Sequence, residues 1–147
     1  MTVDISTEIV INRPVAIVGA FAIEPDNAPI WYVNIKSVAW KPPRPLAVGS
    51  QFAFLAHFLG RTLAYTYEIT ELIPNQRLVM RTAQGPFPMQ TEYTFAPVSA
   101  NATRMHLRNT GEPAGFSRFV APLLAAAMRR ANRKDLVRLK QVLEQRS

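Results

Sequence analysis

The sequence predicts an α+β protein: a curved antiparallel sheet of seven strands, two short helices after the first strand, and a long C-terminal helix. Three observations predict it. Between Gly49 and Asn109, apolar and polar residues alternate in short runs parted by turn residues, the period-2 signal of an antiparallel meander. The first such run, Val3 to Ile11, stands apart from the others, separated by two short apolar segments broken at Glu24-Pro25-Asp26. From Phe116 onward, apolar residues recur at steps of three and four, as on a helix with one buried face.

Each element has its own signal. Val3 to Ile11 is rich in β-branched residues, and Asn12-Arg13-Pro14 ends it. Asn12 is placed to cap the short helix Val15 to Ile23, with Pro14 in its first turn. Glu24-Pro25-Asp26 stops that helix and begins a second through Trp31. The second strand, Ile35 to Trp40, runs into Lys41-Pro42-Pro43-Arg44-Pro45, which cannot pair. Strands then follow at Gln51 to Phe58, Leu63 to Leu72, Leu78 to Thr82, Met89 to Phe95 and Thr103 to Asn109. Their turns fall at Leu59-Gly60, Pro74-Asn75, Gly85-Pro86-Phe87-Pro88 and the polar stretch Val98 to Ala102. The last helix is expected from Gly115 or Phe116, with Pro122 marking a kink or a start just before it.

Composition narrows the class. With 147 residues, 48% hydrophobic and 18% charged, the chain suits one domain over residues 1–147 with a core of its own. It has no cysteine, which removes disulfides, thiolate metal sites and a Cys nucleophile and fits a reducing compartment. Met1-Thr2-Val3-Asp4 lacks a basic and then apolar leader, so the expectation is a cytoplasmic protein. The longest apolar stretch, Phe119 to Met128, contains Pro122 and is too short to span a bilayer.

Chemistry-bearing residues are sparse. His57 and His106 are isolated and expected to point outward, and nothing stands at metal-ligand spacing. The glycines are scattered singly, so no phosphate loop forms, and without a credible base no nucleophilic set can be argued. No catalytic residue, metal or cofactor is therefore expected. Glu68, Glu71 and Glu92 fall on outer faces, with Arg104 or Arg108 as cross-strand partners for Glu92. Alternation gathers the aromatic and Met residues on the inner face instead. A single helix cannot fill a strongly curled sheet, so the expected function is to hold a hydrophobic small molecule between sheet and helix. The residues expected to line that space are Trp31, Phe54, Tyr65, Tyr67, Met80 and Met89. Tyr93, Phe116, Leu123 and Leu124 complete the set.

The net charge of +7 is concentrated at one end. Residues 116–147 hold eight of the 17 Lys and Arg against Asp135 and Glu144, so +6 of the total lies there. A basic helix is ordinarily a solvated face, and it also attracts anionic membrane surfaces. Nucleic acid is disfavoured, because no recognition motif or aromatic platform accompanies the charge.

The chain resembles the helix-grip superfamily of START domains, birch pollen allergen-like proteins and polyketide cyclases (SRPBCC). The resemblance rests on Ile5-Ser6-Thr7-Glu8-Ile9-Val10-Ile11 with Asn12-Arg13-Pro14 and the helix bearing Phe21. It continues through the Asp26 to Trp31 helix, Tyr67-Glu68-Ile69-Thr70-Glu71-Leu72-Ile73-Pro74 and Arg77-Leu78-Val79-Met80-Arg81. Asn109-Thr110-Gly111-Glu112-Pro113-Ala114-Gly115-Phe116 is similar to the polyketide cyclase/dehydrase-like branch. The resemblance implies a seven-stranded sheet gripping the C-terminal helix over a hydrophobic cavity. It leaves three functions side by side: a carrier of a lipid, polyketide or isoprenoid-like ligand; a cyclase or dehydratase; and a co-chaperone-like protein-binding module. For the cyclase, Tyr65, Tyr67, Tyr93 and Arg81 would orient a carbonyl or enolate, although Arg81 and Met80 alternate and only one can face inward.

Overall fold

The elements follow in the order β1 (Val3–Ile11), α1 (Val15–Ile23), a 3-10 turn (Pro25–Asn27), α2 (Ala28–Trp31), β2 (Ile35–Lys41) and β3 (Gln51–Phe58). β4 (Arg61–Ile73), β5 (Arg77–Gln84), β6 (Met89–Ser99), β7 (Ala102–Gly111) and α3 (Ala121–Gln145) complete the chain. The structure is a computed structural model that describes residues 3–41, 46–58, 60–84, 88–111 and 121–146. The expected helix start near Gly115 or Phe116 lies outside the described residues.

One seven-stranded sheet runs in the order β1-β7-β6-β5-β4-β3-β2, every neighbouring pair antiparallel. β1 pairs along its full length with β7, from Val3 opposite Gly111 to Ile11 opposite Thr103. The chain must then reach the far edge to begin β2, and α1, the 3-10 turn and α2 carry it there. Register shifts at Ile35/Ser37, Thr66/Tyr67, Ile69/Glu71 and Pro97/Ser99 each insert a local bend. Such bulges sharpen the curl that lets the sheet wrap a helix, giving the α+β helix-grip architecture.

The strands outrun several expected limits. β4 begins at Arg61, β5 ends at Gln84 and β6 extends to Ser99, because pairing with a neighbour carries polar residues that alternation alone does not mark. α1 starts at Val15, and Pro14, not Asn12, stands at its cap: the Pro14 carbonyl accepts from Ile17 and Val18. The Asn12 backbone N–H instead donates to Glu144 of α3 at 2.8 Å. The second short helix resolves into the 3-10 turn and a single α-turn, since Pro25 and Pro29 limit its donors.

α3 lies on β1 and fixes its far end there through Lys140 Nζ, which donates to the Val10 carbonyl at 2.8 Å. Its apolar side contributes to two core clusters. Leu136, Leu139 and Leu143 join Ile11, Val18, Trp31, Phe52 and their neighbours, while Leu124 and Met128 pack with Val3 and Ile5. Arg129, Arg130, Arg133, Lys134 and Arg138 are exposed on its other side. Among the described residues no helix is long and apolar enough to cross a membrane.

Gly19 shows how closely α1 approaches the β4–β5 turn. A Cβ there would stand 2.8 Å from Asn75 Oδ1 and 3.1 Å from its Cα. Asn75 cannot move easily, since it holds the left-handed conformation of the turn (φ 64°). Gly19→Ala is therefore expected to destabilise by about 1–3 kcal/mol despite the better helix propensity of Ala, read as a lower urea midpoint at unchanged slope.

Candidate functional site

Between the two core clusters, the helix and the sheet do not meet. The space left is a partly open cavity of about 130 Å³. Its sheet wall comes from alternate residues of successive strands, as a pleated surface requires: Phe54 and Ala56 of β3, Tyr65 and Tyr67 of β4, Met80 of β5 and Met89 of β6. Leu63, Ile35, Thr91 and Asn109 extend that wall. The helix wall is Met128, Ala131, Asn132 and Asp135, residues three and four apart on one face of α3. The third side is the chain leaving α2, through Tyr32 and Asn34. An adjoining groove shares Asn34 and Ala131 with the cavity and passes between Val33 and the exposed Arg130 and Lys134. Two bonds tie the α2 exit to α3 beside this groove: Val33 N–H to Asp135 at 2.8 Å and Arg138 Nε to the Ile30 carbonyl at 2.6 Å.

The polar groups in this wall are few and mostly paired. Thr91 donates to Asn109 Oδ1 at 2.7 Å, and the Tyr67 hydroxyl lies beside Thr91. The hydroxyls of Tyr32 and Tyr93 share a hydrogen bond. Burial pushes the ionisation of Tyr32, Tyr67 and Tyr93 well above the ordinary phenol range, so all three serve as neutral hydrogen-bonding groups. Asp135 is only 3% exposed. Burial raises its pKa from 3.8 to about 7, against the opposing pull of the Val33 N–H and the Arg138 charge. A carboxyl that is part protonated near neutrality, in the wall of a cavity, can both give and take a proton. Asn132 is the remaining polar group of the helix wall, and its buried Nδ2 has no partner. Among the described residues no three His, Cys, Asp or Glu come together as metal ligands.

The family model described as polyketide cyclase/dehydrase and lipid transport matches residues 2–144. The chain belongs to that family. Solved structures share the architecture of this polyketide cyclase/dehydrase family member at low identity. The Zhui aromatase/cyclase from Streptomyces sp. R1128 aligns with a TM-score of 0.85 at 14% identity, covering 99% of this chain and 96% of that one. A START superfamily protein from Mycobacterium smegmatis gives 0.84 at 13%, covering 97% of each chain. The di-domain ARO/CYC BexL from the BE-7585A biosynthetic pathway gives 0.77 at 19%, this chain covering 46% of its length. These likenesses establish the fold. No curated protein matches at a significant level.

Within this family member, the residues named from sequence separate into three groups. Phe54, Tyr65, Tyr67, Met80 and Met89 stand in the cavity wall. Trp31 and Tyr93 lie behind it in the core, where Trp31 packs against Tyr32 at 4.0 Å and Tyr93 at 5.7 Å between ring centroids. Leu124 packs onto Val3 and Ile5, whereas Leu123 faces solvent at 71% exposure, one position off the buried stripe of α3. Phe116 lies outside the described residues. Arg81 is exposed on the outer face while Met80 turns inward, so the guanidinium does not reach the cavity. Glu92 pairs with Arg77 at 3.1 Å and approaches Arg108 at 3.9 Å; Arg104 sits four residues along β7, opposite Ala96. Sequence reasoning missed Tyr32, Asn34, Thr91, Asn109, Asn132 and Asp135, the polar part of the site.

Proposed function

We propose that the protein binds a hydrophobic small molecule, of lipid, polyketide or isoprenoid kind, in the cavity between the sheet and α3. The observation that carries this reading is the gap between two core clusters, walled by aromatic and Met side chains with a few converging polar groups. A ligand seated there would bury its apolar surface against these aromatic and Met side chains. At about 130 Å³ the cavity is comparable to an engineered cavity of about 150 Å³ that takes up benzene. It therefore accommodates one ring or a short chain, and the rest of a larger ligand extends along the groove past Val33, Arg130 and Lys134.

Native mass spectrometry of the freshly purified protein tests the proposal directly. A discrete additional mass that leaves on denaturation supports it and gives the chemical class. Ala56→Trp fills the cavity from β3, and the expected result is loss of that mass with the circular dichroism spectrum intact. The same mass on both proteins would place the ligand elsewhere and defeat the proposal.

A second reading, a cyclase or dehydratase working in the same cavity, is favoured by one observation: the buried Asp135 with its raised pKa beside Tyr32. Asp135 would exchange a proton with the bound molecule while the neutral tyrosines orient it.

A further inference from the structure

α3 interrupts its own buried stripe where it crosses the cavity. Met128 and Leu136 are apolar and buried, and between them stands Asn132, only 6% exposed. Among the described residues four buried side-chain polar atoms lack a partner: Thr7 Oγ1, Arg13 Nε, Trp31 Nε1 and Asn132 Nδ2. Of these four, only Asn132 lines the cavity. An unpaired buried donor is costly, and a helix position on an apolar stripe would ordinarily hold Leu or Met. Tyr32, Thr91, Asn109 and Asp135 of the wall have the partners described above, and none of the wall's other polar side chains is among the four. Asn132 Nδ2 is the hydrogen-bond donor that the cavity leaves open.

We propose that Asn132 is the recognition group for a neutral acceptor oxygen on the ligand, a ketone, ester or ring carbonyl, which enters the cavity and accepts from Nδ2. This rests on the cavity being a ligand site and adds to it the functional group the ligand must carry. Neutrality follows from the surroundings. The wall is largely apolar, so an anionic oxygen there would give up its hydration for few donors in return. No cationic side chain lines the cavity among the described residues: Arg130, Lys134 and Arg138 are exposed, and Arg138 is tied to the Ile30 carbonyl. A neutral carbonyl satisfies the amide without adding charge, whereas a plain hydrocarbon leaves the donor unmet.

The test compares two probes of nearly equal shape, acetophenone and ethylbenzene, each small enough for the cavity. Their dissociation constants are measured by NMR titration on wild type and on Asn132→Leu, which replaces the amide by an apolar group of similar size. The expected result is that Asn132→Leu weakens acetophenone by about tenfold and leaves ethylbenzene equal or tighter. Taking each probe against itself cancels its own cost of leaving water. The variant is also expected to unfold about 3 °C higher without ligand, since its buried unpaired donor is gone. Equal weakening of both probes, or of neither, overturns the assignment of Asn132 while leaving the cavity as a ligand site. Binding of ethylbenzene without acetophenone to the wild type likewise overturns the assignment, and failure of both probes to bind would remove the ligand reading and this inference together.

Discussion

Trp31→Ala is expected to destabilise the protein by about 4 kcal/mol, a large share of the roughly 5–15 kcal/mol that holds a domain of this kind together. The indole is fully buried, although it sits on the four-residue helix α2. A helix of one turn has no stability of its own, so α2 exists because Trp31 anchors it in the main core. The indole Nε1 has no partner, which makes the expected loss one of packing and cavity formation, with no hydrogen bond to offset it. The damage reaches the functional site through Tyr32, which stacks on Trp31 and forms one side of the cavity. Urea unfolding followed by circular dichroism reads the stability. A loss under about 1 kcal/mol would show that the surrounding chain closes over the gap, and that α2 is held by its backbone ties to α3 instead.

The fold was legible because it is written in local periods. β1, α1 and β3 have the limits that alternation and punctuation indicate, and only pairing partners extend β4, β5 and β6 beyond them. The apolar half of the cavity was legible for the same reason: Phe54, Tyr65, Tyr67, Met80 and Met89 follow from which face of each strand turns inward. The polar half was not, because no local period reports it. Thr91 and Asn109 are ordinary polar residues of β6 and β7 until pairing sets them opposite one another. Tyr32 and Asn34 sit in a connection whose position depends on α3, far away in sequence. Arg81 turned out of the cavity because only one of two neighbours in a strand can face inward, and Met80 has the apolar place. A signal did exist for Asn132 and Asp135. The stripe through Met128, Leu136, Leu139 and Leu143 requires residues near 132 and 135 to face inward, and both are polar. A polar residue at a position that periodicity assigns to the core is a pointer to a site.

Asp135→Asn is expected to raise stability by on the order of 3 kcal/mol at about pH 8, and to change it little near pH 4. The sign follows from the direction of the shift. The folded protein holds a proton on Asp135 up to about pH 7, while the ordinary carboxyl releases it near 3.8. Its contribution is therefore full below the ordinary pKa, falls as pH rises from about 4 to about 7, and is flat above. Asn keeps an oxygen to accept from Val33 and has no charge to desolvate, so the difference between the two proteins opens across that window. Asp4 and Glu144 titrate the other way: Arg108 holds the first below the usual range, and Lys140 together with the Asn12 N–H holds the second. Both are present in the two proteins, and their acid-side losses cancel in the comparison. Denaturant midpoints taken at several pH values measure it, and a constant difference from about pH 4 to pH 8 would show that Asp135 is ionised throughout. The same variant separates the two functional readings. A binding protein keeps its ligand when Asp135 becomes Asn, whereas a cyclase or dehydratase that uses this proton loses about 10²–10⁴-fold in turnover with binding retained. A variant that gains stability and loses turnover would mark Asp135 as a buried acid whose cost to the fold is maintained by its chemistry.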